Sequence, residues 1–172
     1  MAGARSTIVA LIAVIAWGVN SAGASPATPD ENLAVVHVYA PRSGPGTNCA
    51  RVYPLKRTVR KPAVLTGAMR ALLAGPMAAE RARGYGGWFS SKTANKLHAV
   101  HIRRGVAYVD FYDFRRVIPN ASSSCGSALL LAELNTTATQ FPSVRRAVYS
   151  FNGDRRGFYE WLQRDAPRAG ID

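Results

Sequence analysis

The sequence predicts a single α+β domain in which two helices pack on one face of a mainly antiparallel sheet. Three observations predict this class: a helix that ends abruptly and is followed at once by a strand, a β-hairpin pattern before it, and two strands and a helix in the first half. The predicted order is β-β-α-β-β-α-β. The length of 172 residues gives room for one domain with a substantial core.

The helix and strand that end this order run from Ser127 to Gly153. Apolar residues recur there at helical spacing, namely Leu130, Leu134, Ala138 and Phe141. Pro142 ends the helix because it has no N–H to donate and its ring disfavours helical angles in the preceding residue. Residues 147–151 alternate as in a strand buried mainly on one side, and Asn152-Gly153 tolerate the positive φ of a turn.

A β-hairpin is predicted over residues 96–111, with a glycine-containing turn at 103–105. His98 and His101 lie three positions apart on its first strand. Because side chains of a regular strand alternate between its faces, these two should point to opposite sides and could not hold one metal ion. No two carboxylates are paired in this region either. We therefore expect no metal site.

The first half supplies two strands and a helix. Leu33–Ala40 is apolar on both faces, so we expect this strand inside the sheet, with His37 as a core residue. Ala50–Arg60 is interrupted by Pro54 and is expected at an edge or with a bulge. The helix over Pro62–Ala74 starts at a proline and is ended by a Gly-Pro pair.

The first 24 residues have the layout of a secretory signal peptide: one basic residue, an apolar run and a small-x-small cleavage site ending at Ala24. The apolar run is shorter than the roughly 20 residues that a membrane span needs. The sequence therefore predicts a secreted or otherwise extracytoplasmic protein, tethered to the membrane if the segment is not cleaved. The predicted boundaries are a signal peptide over 1–24, a linker over 25–32, a domain over 33–165 and a frayed tail over 166–172.

The chain is strongly basic. It carries 22 Lys and Arg against 10 Asp and Glu, a formal net charge of +12 that becomes about +11 when Arg5 leaves with the signal peptide. Such a charge favours anionic polymers or lipid head groups, and a solvated basic surface without a partner is the alternative. Export argues against nucleic acid. The chain has four Arg-Arg pairs: Arg103-Arg104, Arg115-Arg116, Arg145-Arg146 and Arg155-Arg156. Because three of the four fall in or beside turns, we expect dispersed charge rather than one patch.

Cys49 and Cys125 are the two cysteines of the chain. Export places them in an oxidising compartment, so we expect a single disulfide. A reactive or metal-binding thiol is the alternative, but neither cysteine has a CxxC spacing or a nearby His. The bridge would close a loop of about 77 residues, for which the chain-entropy model gives roughly 4.5 kcal/mol of stabilisation.

No residues stand out as a catalytic, cofactor-binding or metal-binding set. The best arrangement for a small secreted hydrolase is the serine run at 122–124 with His101, and it lacks a G-x-S-x-G context. An aromatic loop at 84–91 could plug the end of the core, or it could form an interaction surface together with a basic turn. The residues of that possible surface are Tyr85, Trp88, Phe89, Arg103 and Arg104.

Three phrases occur in a recognisable order: ALLAGP at 71–76, GVAYVDF at 105–111 and TATQFPSVRRAVYSFNG at 137–153. Together they resemble the GerMN domain of the sporulation and germination protein family, over residues 33–154. That family has a helix ending in Leu-Leu-x-Gly-Pro and a strand reading Gly-x-Ala-x-Val-Asp-aromatic. A helix ending in Thr-x-Phe-Pro-x-Val then leads to a strand that closes on Asn-Gly. Two features depart from the family: GYGGWFSSKTANKL replaces a Leu-x-Ser-x-Ile-Pro-type passage, and the cysteine pair is not general.

The resemblance implies a non-enzymatic, extracytoplasmic module that works by contacts with envelope proteins, with no catalytic residues and no small-molecule cofactor. Relatives occur in spore-forming bacteria and in actinobacterial envelope lipoproteins. The Ala- and Arg-rich composition suits a GC-rich bacterial host, so this chain looks like a secreted single-domain member of actinobacterial type. The charge keeps open the alternative of a basic module that binds anionic envelope polymer or lipid.

Overall fold

The computed structural model describes residues 31–44 and 48–167. The predicted signal peptide and most of the predicted linker and tail lie outside these residues. Within the described part of the chain, no helix is both long enough and apolar enough to cross a membrane.

The described residues form five strands and four helices. They are β1 (Leu33–Ala40), β2 (Tyr53–Arg60), α1 (Val64–Leu73), α2 (Ala78–Ala82), β3 (Leu97–Arg103), β4 (Val106–Phe111), α3 (Ser124–Thr139), β5 (Arg146–Phe151) and α4 (Arg155–Trp161). The α+β class and the predicted order of strands and helices are confirmed. The structure adds the short helices α2 and α4 to that order.

The strands divide into two sheets rather than one. β1 and β2 form an antiparallel pair, and the second sheet has the order β3-β4-β5. β4 pairs with β3 antiparallel and with β5 parallel. The parallel pairing has a simple cause, because α3 carries the chain from the end of β4 back to the start of β5, and such a crossover returns the next strand in the same direction.

The expectation that β1 lies inside a sheet, with His37 in the core, is wrong. β1 has β2 on one side, and the two faces of the strand differ in exposure. Val36 and Val38 are buried, whereas Val35 is 58% exposed and His37 is exposed too. The apolar run suggested burial on both faces, but only the face turned towards α1 and α3 is covered.

A glutamine side chain from the end of α3 completes the outer edge of β1. The backbone N–H of His37 donates a 2.9 Å hydrogen bond to Oε1 of Gln140, and Nε2 of Gln140 donates a 2.7 Å bond to the carbonyl of His37. The N–H of Tyr39 donates to Oγ1 of Thr137 at 3.1 Å. The Gln140 amide thus pairs with β1 as a neighbouring strand would, which satisfies backbone groups of a sheet edge.

The core forms around α1 and α3, which pack against each other and contact both sheets. α4 adds to it from the end of the chain, with the ring of Phe158 5.0 Å from that of Phe151. The largest fully buried apolar side chains include Met69, Leu73, Phe111, Phe114, Leu130, Leu134, Tyr149, Phe158 and Leu162. This packing uses one face of the second sheet.

Two predicted turns have positive φ angles. Arg104 (φ 51°) and Gly105 (φ 76°) form the two-residue turn of the β3–β4 hairpin. Asn152 (φ 49°) and Gly153 (φ 84°) lead the chain from β5 into α4. Asp154 caps α4 by accepting a 2.9 Å hydrogen bond from the N–H of Gly157.

Candidate functional site

The predicted disulfide is present and joins the loop before β2 to the first turn of α3. The Cα atoms of Cys49 and Cys125 are 5.2 Å apart. Beside the bridge, Oγ of Ser123 accepts a 3.0 Å hydrogen bond from the N–H of Gly126 and lies 3.1 Å from the carbonyl of Asn120. The middle serine of the run suggested for a hydrolase therefore caps a helix.

The aromatic loop is anchored mostly inside the protein. Phe89 is 3% exposed, and its ring packs edge to face against Phe114, 6.2 Å between centroids. The indole N–H of Trp88 donates a 3.1 Å hydrogen bond to the carbonyl of Gly126. Tyr85 is half-buried, and the guanidinium carbons of Arg42 and Arg83 lie 5.6 Å and 5.9 Å from the centroid of its ring. Of the three aromatic residues suggested for an interaction surface, Phe89 belongs to the core.

A buried carboxyl beneath this loop was missed by the sequence reasoning. Glu133 on α3 is 1% exposed, and its Oε2 accepts a hydrogen bond from the backbone N–H of Trp88 at 3.3 Å. Burial raises the pKa of Glu133 to about 8, and the bond from Trp88 opposes this only in part. Its burial could have been predicted from its spacing, because Glu133 lies three residues after Leu130 and so falls on the apolar face of the helix.

The second sheet presents one face away from the core. Cross-strand partners share a face, so the register of β3, β4 and β5 assigns alternate residues to it. We call this surface the open face; its residues are Ala99, His101, Arg103, Val106, Tyr108, Asp110, Arg146, Val148 and Ser150. The intervening residues of β4, namely Ala107, Val109 and Phe111, are fully buried on the opposite side.

A concavity of about 500 Å³ lies on the open face and extends to the start of α4, where Gly153 and Arg155 line it. Stacked rings form part of its wall: the centroids of His101 and Tyr108 are 4.9 Å apart, with 11° between the ring planes. Val148, next to Tyr108 in the sheet, is 5% exposed. The volume falls in the range of small-ligand sites, roughly 300–1,000 Å³.

Asp110 closes one end of this concavity and binds three donors. Oδ1 accepts hydrogen bonds from Oγ of Ser150 at 2.6 Å and from the N–H of Gly153 at 2.8 Å. Nδ1 of His98 lies 2.7 Å from Oδ2. Burial acts to raise the pKa of Asp110, but these hydrogen bonds outweigh it and lower the pKa below its usual value.

The expectation that His98 and His101 point to opposite faces is wrong. The register of β3 against β4 shifts between Leu97 and Ala99, so a bulge interrupts the alternation. His98 contacts Asp110 and His101 contacts Tyr108, and these two partners lie on the same face of β4. Among the described residues, no group of three or more His, Cys, Asp or Glu is placed to hold a metal ion.

Two of the four Arg-Arg pairs, Arg103-Arg104 and Arg145-Arg146, lie next to each other in the fold, whereas the sequence suggested dispersed charge. Arg103 and Arg146 both pair with Val106, one from each neighbouring strand, so they flank it on the open face. Next to them, Nη2 of Arg145 donates a 2.9 Å hydrogen bond to the carbonyl of Arg104. The cause is the parallel pairing of β4 and β5, which brings the hairpin turn beside the start of β5.

A second groove follows the outer edge of β3. Its volume is about 370 Å³, and it is lined mainly by apolar side chains of the start of α1, of β3 and of Phe141. β3 is an edge strand of its sheet, and Ile102 on it is 43% exposed. His101 lines both this groove and the concavity of the open face.

Comparison with known proteins identifies the fold. The Germane family, described as sporulation and spore germination, matches residues 37–156. The tandem GerMN domains of the sporulation protein GerM from Bacillus subtilis are 15% identical, with a TM-score of 0.53, over 76% of this chain and 43% of that one. This chain therefore spans less than half the length of that tandem structure.

Two further solved structures match less closely. The first GerMN domain of the same Bacillus subtilis protein is 18% identical, with a TM-score of 0.44, over 71% of this chain and 85% of that one. A candidate lipoprotein from Clostridium perfringens is 17% identical, with a TM-score of 0.41, over 76% and 82% of the two chains. A search of curated proteins found no significant match. The family match covers most of the described residues, and the chain belongs to the sporulation and spore germination family with a domain of GerMN type.

Proposed function

We propose that this chain is a secreted or envelope-associated, non-enzymatic protein-interaction module of the bacterial cell envelope. The observation that carries the proposal is the groove along β3. An edge strand presents unpaired backbone N–H and C=O groups, and here a mainly apolar groove runs beside that edge. An extended segment of a partner could add to β3 as a further strand and place its side chains in the groove.

Exposed apolar surface beside an edge strand supports this reading. Ile102 is 43% exposed on β3, and the start of α1 forms the opposite wall of the groove. Contiguous apolar surface of this kind is typical of protein contacts. The extracytoplasmic location of the proposal is supported by the predicted signal peptide.

The non-enzymatic part of the proposal is supported by the roles that reactive side chains already fill. Ser123 caps α3, and Asp110 binds Ser150 and Gly153. His101 stacks on Tyr108.

Photo-crosslinking tests the interaction. A photoreactive phenylalanine at position 102 should form a covalent adduct of defined mass with an envelope protein of the source bacterium. The same residue at position 35, on the outer face of β1, is the matched control because Val35 is also an exposed apolar strand residue. We expect the adduct from position 102 to disappear when Ser143→Arg fills the groove. Equal adducts from both positions, or none, would argue against the proposal.

A second candidate function is binding of anionic envelope polymer or lipid. The convergence of Arg103 and Arg146 on the open face favours it. Binding of this kind should weaken steeply as salt is added. Binding to such polymers that does not respond to salt would exclude it.

A further inference from the structure

We propose that the segment that adds to the edge of β3 is apolar on one side and acidic at one end. Its apolar side chains pack in the groove, and a carboxylate at the end beside the hairpin turn pairs with Arg103. The proposal rests on the proposed function and adds to it the chemistry of the partner. It follows from the backbone of β3, from the lining of the groove and from the arginines at the turn.

Backbone groups of Val100 and Ile102 are directed towards the free edge of β3. Arg103 and Val106 flank the two-residue turn and form a hydrogen-bonded pair, and along an antiparallel ladder such pairs alternate with residues whose N–H and C=O point away. Counting back from the turn, Ile102 and Val100 are the residues that point outwards. Among the described strands, none lies on that side of β3. An added strand can therefore form hydrogen bonds with these two residues.

Side chains of the same two residues form part of the groove. Their cross-strand partners, Val109 and Ala107, are buried, so Val100 and Ile102 lie on the core-facing side of β3. The start of α1 and the loop after α3 supply the rest of the lining, in which no residue is acidic. Every second side chain of an added strand would face this lining. Apolar side chains are favoured at those positions because packing there removes them from water.

The alternate side chains of an added strand would extend the open face, where basic residues are present. Arg103, Val106 and Arg146 form one row across three strands, which we call the arginine row. A residue opposite Arg103 would continue this row, with its side chain next to that of Arg103. At the adjoining turn, Nη2 of Arg145 donates its 2.9 Å hydrogen bond to the carbonyl of Arg104. In the described part of the chain, none of these four arginines forms an ion pair with a carboxylate.

The charges along β3 restrict the acidic residue to one end of the segment. Arginines without acidic partners create a positive potential at the turn, which favours Asp or Glu there and disfavours Lys or Arg. At the opposite end of the strand, charges of both signs already pair with each other. His98 contacts the carboxylate of Asp110, and Asp113 forms an ion pair with Arg115. We therefore expect the partner segment to be acidic beside the turn and to have no such requirement at its other end.

Titration of the isotope-labelled chain with synthetic peptides tests this chemistry. The peptide EVTVTVS brings its glutamate to Arg103 as an antiparallel strand, and SVTVTVE does so as a parallel strand, so the tighter of the two gives the direction of pairing. QVTVTVS and SVTVTVQ are the matched neutral controls. We expect amide shifts at Val100 and Ile102, and the better acidic peptide should bind about threefold to fivefold more tightly than its control. Proline in place of the central valine removes a backbone donor and should abolish binding.

Charge reversal tests the contact with Arg103. In Arg103→Glu the preference should reverse, so that a peptide with lysine in place of the glutamate binds more tightly than the acidic peptide. Arg70→Glu changes the net charge equally at an exposed residue near the far end of α1, and it should keep the preference of the native chain. The neutral peptides should bind all three proteins within about twofold. Thermal unfolding checks that both variants are folded.

Three results would overturn the proposal: acidic and neutral peptides that bind the native chain equally, a preference that Arg103→Glu does not change, or no binding of any peptide. In the third case, amide shifts at the arginine row on addition of phosphatidylglycerol bicelles would assign the arginines to lipid instead. Equal binding of acidic and neutral peptides, with the crosslink from position 102 intact, would remove only the acidic preference. Loss of the crosslink together with all peptide binding would remove the protein-interaction module itself.

Discussion

The backbone N–H of Gly153 donates a 2.8 Å hydrogen bond to Oδ1 of Asp110, 43 residues earlier in the chain. The bond joins the end of β4 to the turn after β5, and Ser150 on β5 adds a second bond to the same oxygen at 2.6 Å. Asp110 belongs to the GVAYVDF phrase and Gly153 to the Asn-Gly that closes the last strand phrase. Two of the phrases behind the family resemblance are therefore in direct contact.

Removing the Asp110 carboxylate should loosen this junction. Asp110→Ala leaves the Gly153 N–H and the Ser150 hydroxyl without their acceptor, so we expect the free energy of unfolding to fall by about 1–2 kcal/mol at pH 7. Asp113→Ala is the matched control, because Asp113 forms a more exposed ion pair with Arg115 and exposed pairs contribute roughly 0–1 kcal/mol. Denaturant unfolding of the three proteins measures the difference. Equal losses in the two variants would contradict the structural role of Asp110.

The Asp110 contribution should also depend on pH in a defined direction. Its pKa is lowered in the folded protein, while an unfolded Asp titrates near ~3.9. The stabilisation is therefore complete above about pH 4 and is lost as the pH falls through the folded pKa. Unfolding curves from pH 7 to pH 3 should show the stability gap between the native chain and Asp110→Ala shrinking below about pH 4. A gap that is constant over this range would contradict the assignment.

Sequence patterns correctly predicted the helices, strands and turns that are determined by residues close together in the chain. The α3–β5 unit follows from the apolar spacing of α3 and from Pro142, and the hairpin follows from the turn at Arg104-Gly105. Each depends on residues that are close in sequence. The disulfide could be predicted because two cysteines allow one intramolecular pairing.

The features that were not predicted depend on long-range pairing. The bulge near His98 arises from the register of β3 on β4, and it reverses the side of the sheet that this histidine faces. The arginine row needs β4 and β5 to be parallel and in register. The Gln140 amide on the edge of β1 joins residues 103 positions apart. The periodicity of a sequence does not show which distant residues are in contact. The composition of the open face therefore could not be predicted from the sequence.

Glu133 should make the protein less stable as the pH rises towards neutral. Burial raises its pKa to about 8, whereas an unfolded Glu titrates near ~4.3. Between these values the folded state keeps a proton that the unfolded state has lost. The contribution of Glu133 to the free energy of unfolding therefore falls by about 1.4 kcal/mol for each pH unit of increase in this range.

Glu133→Gln tests this sign. The variant keeps an acceptor for the Trp88 N–H and removes the titration, so we expect it to be more stable than the native chain by about 2–4 kcal/mol at pH 7. The difference in the free energy of unfolding between Glu133→Gln and the native chain should disappear as the pH falls to about 4. Glu160→Gln, which removes a carboxylate from a helix residue whose side chain is 59% exposed, is the matched control. Unfolding curves of Glu133→Gln and the native chain that stay parallel from pH 4 to pH 8 would show that Glu133 is ionised when folded.

Two adjacent glycines of the aromatic loop, Gly86 and Gly87, should differ sharply in how well they tolerate substitution by alanine. A Cβ at Gly87 would collide with Oε1 of Glu133, and the φ of 127° disfavours any other residue. A Cβ at Gly86 would meet nothing within 4 Å. We expect Gly87→Ala to reduce the free energy of unfolding by about 1–3 kcal/mol. Gly86→Ala should stay within about 0.5 kcal/mol of the native chain.

A double-variant cycle separates the two causes at Gly87. In a Glu133→Ala background the collision disappears and the backbone strain remains, so Gly87→Ala should cost less than it does in the native chain. Thermal or denaturant unfolding of the four proteins measures the coupling. If Gly87→Ala costs the same in both backgrounds, the contact with Glu133 contributes nothing.

Breaking the disulfide should cost more than any single side-chain change considered above. The bridge between Cys49 and Cys125 spans 76 positions, and the entropy of such a loop corresponds to roughly 4.5 kcal/mol. Cys49→Ser, Cys125→Ser and the double variant should all lose about this amount, because each removes the same bond. A reducing agent should destabilise the native chain to the same level and leave the double variant unchanged. Additive losses in the two single variants would show that the cysteines contribute through packing instead of through the loop that they close.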